Sequence, residues 1–350
     1  MKNTENKLNK IIGPIKLPLE IDNHVDYHSL YYFEYNNERW ACVCYGDLSI
    51  NKPIPLRIES ACFFGHVFHS RQCDCGYQLM EAFSRIRKEK FGLVIYGIDQ
   101  DARGLGIEAH YKIYDYRQNL NLDTEEVFEK LHAKLDNRNY NAVAAILKFI
   151  NINKIKLLSN NPSRISFLKS NGFEVVREEI EAPLDKFNMA TMMLEKEDLA
   201  YQWSFLTHAY WLAPIQESVQ KNINKYAGRI VESNKKIIAE WIGDEWSVAN
   251  NLCPQLKDEL KENSYVVYLT DYPRLDELKI YAAHHISLIV APFSCFPEYL
   301  VQEAKKYGIK LQDWARENKY KEQRNQWSLI KMANQSHIYE RGDTSLTINV

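Results

Sequence analysis

The stretch that most limits what this chain can become is residues 57–79, RIESACFFGHVFHSRQCDCGYQL. Three cysteines, Cys62, Cys73 and Cys75, crowd into it. Residues 53–58 before them read as a strand. Residues 76–90 after them read as a helix, with Leu79, Phe83 and Ile86 on one face. The cysteines therefore sit on a strand-to-helix connection, where side chains can converge beside a helix N-terminus. Three thiolates are a soft ligand set that suits zinc. Two forms of site are open. One is catalytic, with three protein ligands and a place for water. The other is structural and closed by His66 or His69. The lack of a fourth cysteine nearby favours the open form. A disulfide is a poor reading, because three is odd and Cys-x-Cys does not easily bridge itself.

At 350 residues and 45% hydrophobic content, the chain can bury a sizeable core in about two domains. A net charge of -2 makes no electrostatic case for nucleic acid or an anionic membrane. The start, MKNTENKLNK, has no apolar core of a signal peptide, and the longest apolar stretch, residues 286–293, is too short to span a bilayer. Seven cysteines with three clustered point to metal in a reducing compartment. The expectation is a soluble, cytoplasmic protein.

In chain order, residues 1–15 are expected to be a loose start. Residues 28–35 and 40–45 read as a hairpin turned by Asn36 and Asn37. Strand and helix then alternate from 76 to 177, which argues for an α/β domain. After the strand at 92–97 comes Asp99-Gln-Asp-Ala-Arg103-Gly-Leu-Gly106, a glycine loop that can bring backbone N–H groups to a phosphate, with Arg103 beside it. A plain tight turn is the commoner origin of such a loop. The helix at 108–119 carries Tyr111, Tyr114 and Tyr116. Asp123 or Thr124 caps a further helix. Asp136 and Arg138 stand in a polar turn, where spacing alone suggests only a surface ion pair. After about residue 196 the character changes: 199–239 reads as largely helical, 265–270 and 286–291 as buried strands, 297–307 as helix and 312–334 as polar helix. His284 and His285 form an isolated pair. The expectation is therefore a mixed α/β (α+β) fold, with one domain over 1–195 and a smaller α/β or mostly helical domain over 196–350.

Five of these stretches together resemble GTP cyclohydrolase II, the zinc enzyme that opens the riboflavin pathway. Cys62 with Cys73-Asp-Cys75-Gly-Tyr-Gln78-Leu79 resembles its zinc motif. Gln100-Asp-Ala-Arg103-Gly-Leu-Gly106 is similar to its Gln-Glu-Gly-Arg-Gly-Ile-Gly loop. Asp123-Thr124, Asp136-x-Arg138 and Leu157-Leu-Ser-Asn-Asn-Pro162 follow in the family's order and near its spacing. The likeness runs from about residue 15 to 195.

The resemblance implies one zinc per chain on Cys62, Cys73 and Cys75, activating water for attack on C8 of guanine with loss of formate. It implies a catalytic Tyr114, an acid/base Asp136, and Arg138 as nucleophile at the α-phosphorus, expelling pyrophosphate. It implies nucleotide contacts from Arg57, Gln78, Asp101, Arg103, Thr124, Ser159 and Arg164, magnesium with the triphosphate, and a homodimer. The family's Arg-x-His-Ser-Glu is here Arg57-Ile-Glu59-Ser-Ala61, its loop glutamate is Asp101, and His66 and His69 replace its Asp and Gly. These changes keep two rivals open. One is a relative acting on another purine or pyrimidine nucleotide, or stopping at a formylated product. The other is a nucleotide-binding module with structural zinc, against which Tyr114, Asp136 and Arg138 together argue.

Overall fold

The structure, a computed structural model, describes residues 8–313 other than 121, 123, 185, 198, 205–207, 222–225, 233–235, 245–246, 257–264 and 293–295. Two compact units divide the chain: Met1–Ala182 with Leu199–Trp203, and Pro183–Asp198 with Ser204–Val350.

The first unit runs β1 (Leu8–Ile21), β2 (His24–Tyr35), β3 (Glu38–Tyr45), β4 (Ile54–Ser60), α1 (Phe63–Val67), α2 (Cys75–Glu89), β5 (Gly92–Gly97), a single turn α3 (Asp101–Gly104), α4 (Ile107–Asn119), α5 (Thr124–Lys130), α6 (Asn141–Phe149), β6 (Lys154–Leu158), α7 (Pro162–Ser170) and β7 (Glu174–Glu178). Its strands form one sheet in the order β1-β2-β3-β5-β4-β6-β7. The first three connections in that order are antiparallel, and β5-β4, β4-β6 and β6-β7 are parallel.

Asn36 and Asn37 turn β2 into β3, both at positive φ, as the two-residue hairpin turn requires. The expected loose start is instead strand: Leu8–Ile21 pairs along β2, and only residues 1–7 lie outside the described ones. Gly13 and Pro14 obscure its start in the sequence, and because Ile11, Ile12, Ile15 and Leu17 are exposed, backbone pairing more than a buried face holds it.

Period-two alternation splits β4 into two chemical faces. Ile54, Leu56 and Ile58 join Leu93, Ile95, Ile146, Leu147, Ile155 and Leu157 in the core. Arg57 and Glu59 point to the other face, where Glu59 is in register with Tyr96 of β5. The loops that follow β4, β5 and β6 all leave from the carboxyl edge of parallel neighbours, the usual place for a ligand crevice in such sheets.

The second unit runs α8 (Met189–Glu197), α9 (His208–Lys221), β8 (Tyr226–Glu232), β9 (Lys236–Gly243), α10 (Val248–Leu252), β10 (Tyr265–Leu269), α11 (Leu275–Ala283), β11 (Leu288–Ala291), α12 (Glu298–Lys306) and β12 (Lys310–Asp313). It is an α/β layer on a five-stranded sheet ordered β12-β11-β10-β8-β9. The expected helix over 199–239 is therefore corrected to one helix and an antiparallel hairpin, β8 with β9. The hydrophobic run Ile230-Val231 and the Ser233-Asn234 turn chemistry were the strand signal. The polar helix expected over 312–334 gives way to β12 at its start, and from 314 onward it lies outside the described residues. His284 and His285 close α11 and do not lie on a strand. No helix among the described residues is long and apolar enough to cross a membrane.

Candidate active site

The loop after β4 carries Cys62 as the N-cap of α1, its sulfur accepting from Gly65 N–H at 3.3 Å. Cys73 precedes α2 and Cys75 opens it, so both sit at the positive end of a fifteen-residue helix. The three sulfurs lie within 4.8 Å of one another, and Cys62 Sγ and Cys73 Sγ are 3.7 Å apart. A tetrahedral zinc with sulfurs at about 2.3 Å needs a separation of about 3.8 Å. The neighbouring Cys62 sulfur, opposed by Cys75 and joined by burial, pushes the Cys73 thiol well above its usual range. Crowded, buried thiols of this kind fit a cation that takes the place of their protons.

Gly65 closes the cradle. A Cβ there would stand 3.1 Å from Cys62 Sγ, 3.3 Å from Cys75 Cβ and 3.4 Å from Cys73 Sγ.

Neither histidine of the loop belongs to the cluster among the described residues. His66 Nδ1 takes the Cys62 N–H at 3.3 Å and meets the Tyr96 hydroxyl at 2.9 Å. Burial holds its pKa below the ordinary imidazole value.

Behind the loop runs a buried polar chain. Arg57 donates from Nε to Glu59 at 2.8 Å, from Nη1 to Leu158 O at 3.0 Å, and from Nη2 to Gln78 Oε1. Gln78 passes the chain on to Asp74, between the two later cysteines. Arg57 and Gln78 thus direct these groups inward and brace the cysteine loop against β4 and α2.

Asp101 joins three pieces. Its carboxylate accepts from Phe63 N–H at 3.0 Å and Ala102 N–H at 2.7 Å, and His110 Nδ1 of α4 lies 2.6 Å away. Burial alone would raise this carboxyl, but His110 and the two N–H groups hold it below the usual range. Ala102 and Arg103 both take left-handed conformations, at φ 50° and 56°. Tyr114, on α4, packs edge-on against Phe64 with centroids 5.1 Å apart. Burial first, then the nearby sulfurs, keep its phenol protonated well above the ordinary value.

A second cluster forms around Arg138. Its Nε and Nη2 donate to the two oxygens of Asp136 at 2.9 and 2.6 Å. This is not the exposed ion pair that spacing suggested: the side chains are only 8% and 25% exposed. The turn is stitched to the glycine loop by Asn137 N–H to Arg103 O at 3.0 Å, and a Cβ on Gly104 would meet Asn137 at 3.1 Å.

Arg164, near the start of α7, is 4% exposed. It reaches only Tyr140 Oη and Ser60 Oγ, each at a long 3.4 Å, and lies over the Tyr140 ring. No carboxylate pairs with it among the described residues. Ser60 in turn donates to Gln100 at 3.1 Å. Ser159 Oγ accepts from Asn161 N–H at 3.2 Å. Asp123, and the side chain of Thr124, lie outside the described residues.

The profile of the family described as GTP cyclohydrolase II matches residues 15–180. GTP cyclohydrolase-2 of Buchnera aphidicola is 40% identical over 141 residues, which cover 40% of this chain and 71% of that protein. GTP cyclohydrolase-2 of Shewanella amazonensis is 32% identical over 165 residues, 47% of this chain and 80% of that protein.

The chain belongs to the GTP cyclohydrolase II family.

Membership makes it a hydrolase. The riboflavin biosynthesis protein RibBA of Aquifex aeolicus is also similar, 33% identical over 174 residues, 49% of this chain and 43% of that protein's length. Two residues near these clusters escape a reading by motif: Gly65, whose need for a bare Cα shows only in three dimensions, and Tyr201, which lies beyond the matched residues.

Proposed function

We propose that the chain is a zinc-dependent GTP cyclohydrolase of riboflavin biosynthesis, opening the imidazole ring of GTP with release of formate and pyrophosphate. One observation carries the reading: a three-thiol cluster with no fourth ligand among the described residues, on the same sheet edge as a buried arginine that pairs with no carboxylate among them.

Cys62, Cys73 and Cys75 would hold the zinc, which when bound supplies Lewis acidity for attack of water on the base. Arg164 has lost its hydration without gaining a carboxylate, and an anion such as a phosphate offsets that cost. Arg138 would attack the α-phosphorus, and Asp136, already bonded to its Nε and Nη2, is placed to take the proton it loses. Tyr114, protonated at neutral pH, offers a donor beside the thiols. Contacts from Arg57, Gln78, Asp101, Arg103, Thr124 and Ser159, magnesium on the triphosphate, a homodimer and a cytoplasmic location complete the proposal.

A second reading rests on Glu59. Where the family has a histidine, this carboxylate is locked onto Arg57, and Ala61 offers no carboxylate at all. A relative acting on another base would fit that change.

The test is incubation of zinc-loaded protein with GTP and magnesium, following formate, pyrophosphate and the purine ultraviolet spectrum. An unchanged spectrum with GTP but ring opening with another nucleotide selects the second reading. No reaction with any nucleoside triphosphate overturns both.

A further inference from the structure

The family match ends at residue 180, yet the first unit takes back a later piece of chain, Leu199–Trp203. This strap lies along the loop after β6. Gln202 N–H donates to Asn160 O at 2.8 Å, and Arg177 Nη2 donates to Gln202 O at 2.8 Å. Trp203 is 4% exposed.

Between these anchors, the Tyr201 hydroxyl accepts two hydrogen bonds, each 2.8 Å long. One comes from Arg138 Nη2 and the other from Asn161 Nδ2. Asn161 is itself fixed, because its Oδ1 caps α7 by accepting from Ser163 N–H at 2.8 Å. A single oxygen thus ties the Arg138 guanidinium to the first turn of the helix that carries Arg164.

Asp136 grips Arg138 along one edge of the fork, through Nε and Nη2. Tyr201 supplies a second point of attachment on Nη2. We propose that Tyr201 is a positioning residue, contributed from outside the family's matched region, which fixes the orientation of Arg138 relative to Arg164. The proposal rests on the reading of Arg138 as the group that meets the nucleotide's phosphate.

The experiment compares the full chain with Tyr201→Phe, which keeps the ring and removes only the hydroxyl. Exposed Tyr210→Phe on α9 serves as the control. Rates are normalised to the folded fraction recovered from gel filtration. The expected result is a kcat lowered about 10- to 100-fold, with KM for GTP nearly unchanged, since a misaligned reacting group costs rate more than binding. A purely structural tyrosine would lower the melting temperature and leave kcat per folded molecule alone, and that outcome overturns the proposal.

A second readout does not depend on turnover. Phenylglyoxal modification of Arg138, mapped by peptide mass spectrometry, should be severalfold faster in Tyr201→Phe than in the parent or the control. An unchanged modification rate overturns the positioning role even if GTP proves not to be the substrate. Absence of turnover in the parent protein, with faster modification in the variant, removes the functional reading and keeps the positioning role.

Discussion

Gly65 is the residue on which the close packing of the three cysteines turns. The three contacts a Cβ would make there are with the clustered cysteines themselves, at 3.1 to 3.4 Å. Gly65→Ala should therefore spread the sulfurs, and elemental analysis should find well under one zinc per chain in otherwise folded protein; a full complement of zinc would show that the cradle can give. Asp136 and Arg138 pose a different question, because both are mostly buried and each satisfies the other. Asp136→Ala strands a guanidinium in the interior, whereas Arg138→Ala leaves a carboxylate that water can still reach. Both should reduce turnover at least about a hundredfold. In urea titrations Asp136→Ala should cost more, about 2 to 3 kcal/mol, because it leaves the better buried charge alone. Equal and negligible losses would mean that the pair is surface decoration after all. The pH dependence follows from the sign of the shift. Burial would raise the Asp136 carboxyl, but the Arg138 hydrogen bonds and charge hold it below its ordinary value. Its contribution is full above the unfolded value of about 3.9 and drains away as the pH falls through the lower folded value. The stability gap between parent and Asp136→Asn should accordingly narrow only below about pH 4.

At the scale of elements, the site belongs to three loops on one edge of a sheet: the cysteine loop after β4, the glycine loop after β5 and the Asn160-Asn161 loop after β6. Much of this was legible. Alternation along 54–60, the asparagine turn at 36–37 and the proline after Asn161 each declared their structures through local chemistry. What stayed hidden was what depends on partners distant in sequence. Arg138 reads as solvated because one of its partners, Tyr201, stands 63 residues away. The strand at 8–21 alternates over residues 15–21, IKLPLEI, but Gly13, Pro14 and Pro18 read as breakers of a strand. The hairpin at 226–243 was absorbed into the helical reading of the aromatic-rich stretch before it, Tyr201 to Trp211, since aromatics suit helix cores as well as strands. The glycine loop adds a local conflict: Ala102 stands at φ 50° where the resembled loop has glycine. A left-handed alanine costs about 1 to 2 kcal/mol, partly offset by the greater freedom of glycine in the unfolded chain. Ala102→Gly should raise unfolding free energy by about 0.5 to 1 kcal/mol without altering zinc content. A loss of stability would show that the loop's strain is relieved by contacts of the methyl group.

At the scale of the molecule, the boundary between units is crossed three times. Residues 183–198 belong to the second unit, 199–203 to the first, and the chain then returns to the second. A single cut cannot separate them cleanly. A fragment ending at residue 195 lacks the strap and carries most of α8, with Met189, Met192, Met193 and Leu194 at 4% exposure or less, away from the rest of its unit. It should run as aggregate on gel filtration, whereas the full chain should not; a monodisperse fragment retaining zinc would show that the first unit stands without the strap. The same interleaving imposes an order on biosynthesis. Arg138 leaves the ribosome 63 residues ahead of the Tyr201 hydroxyl it bonds. At about 5 to 20 residues per second that is a delay of about 3 to 13 seconds. During that interval the cysteine loop and its sheet can already have folded, so a nascent chain can bring its three thiols together before the last partner of Arg138 has been made.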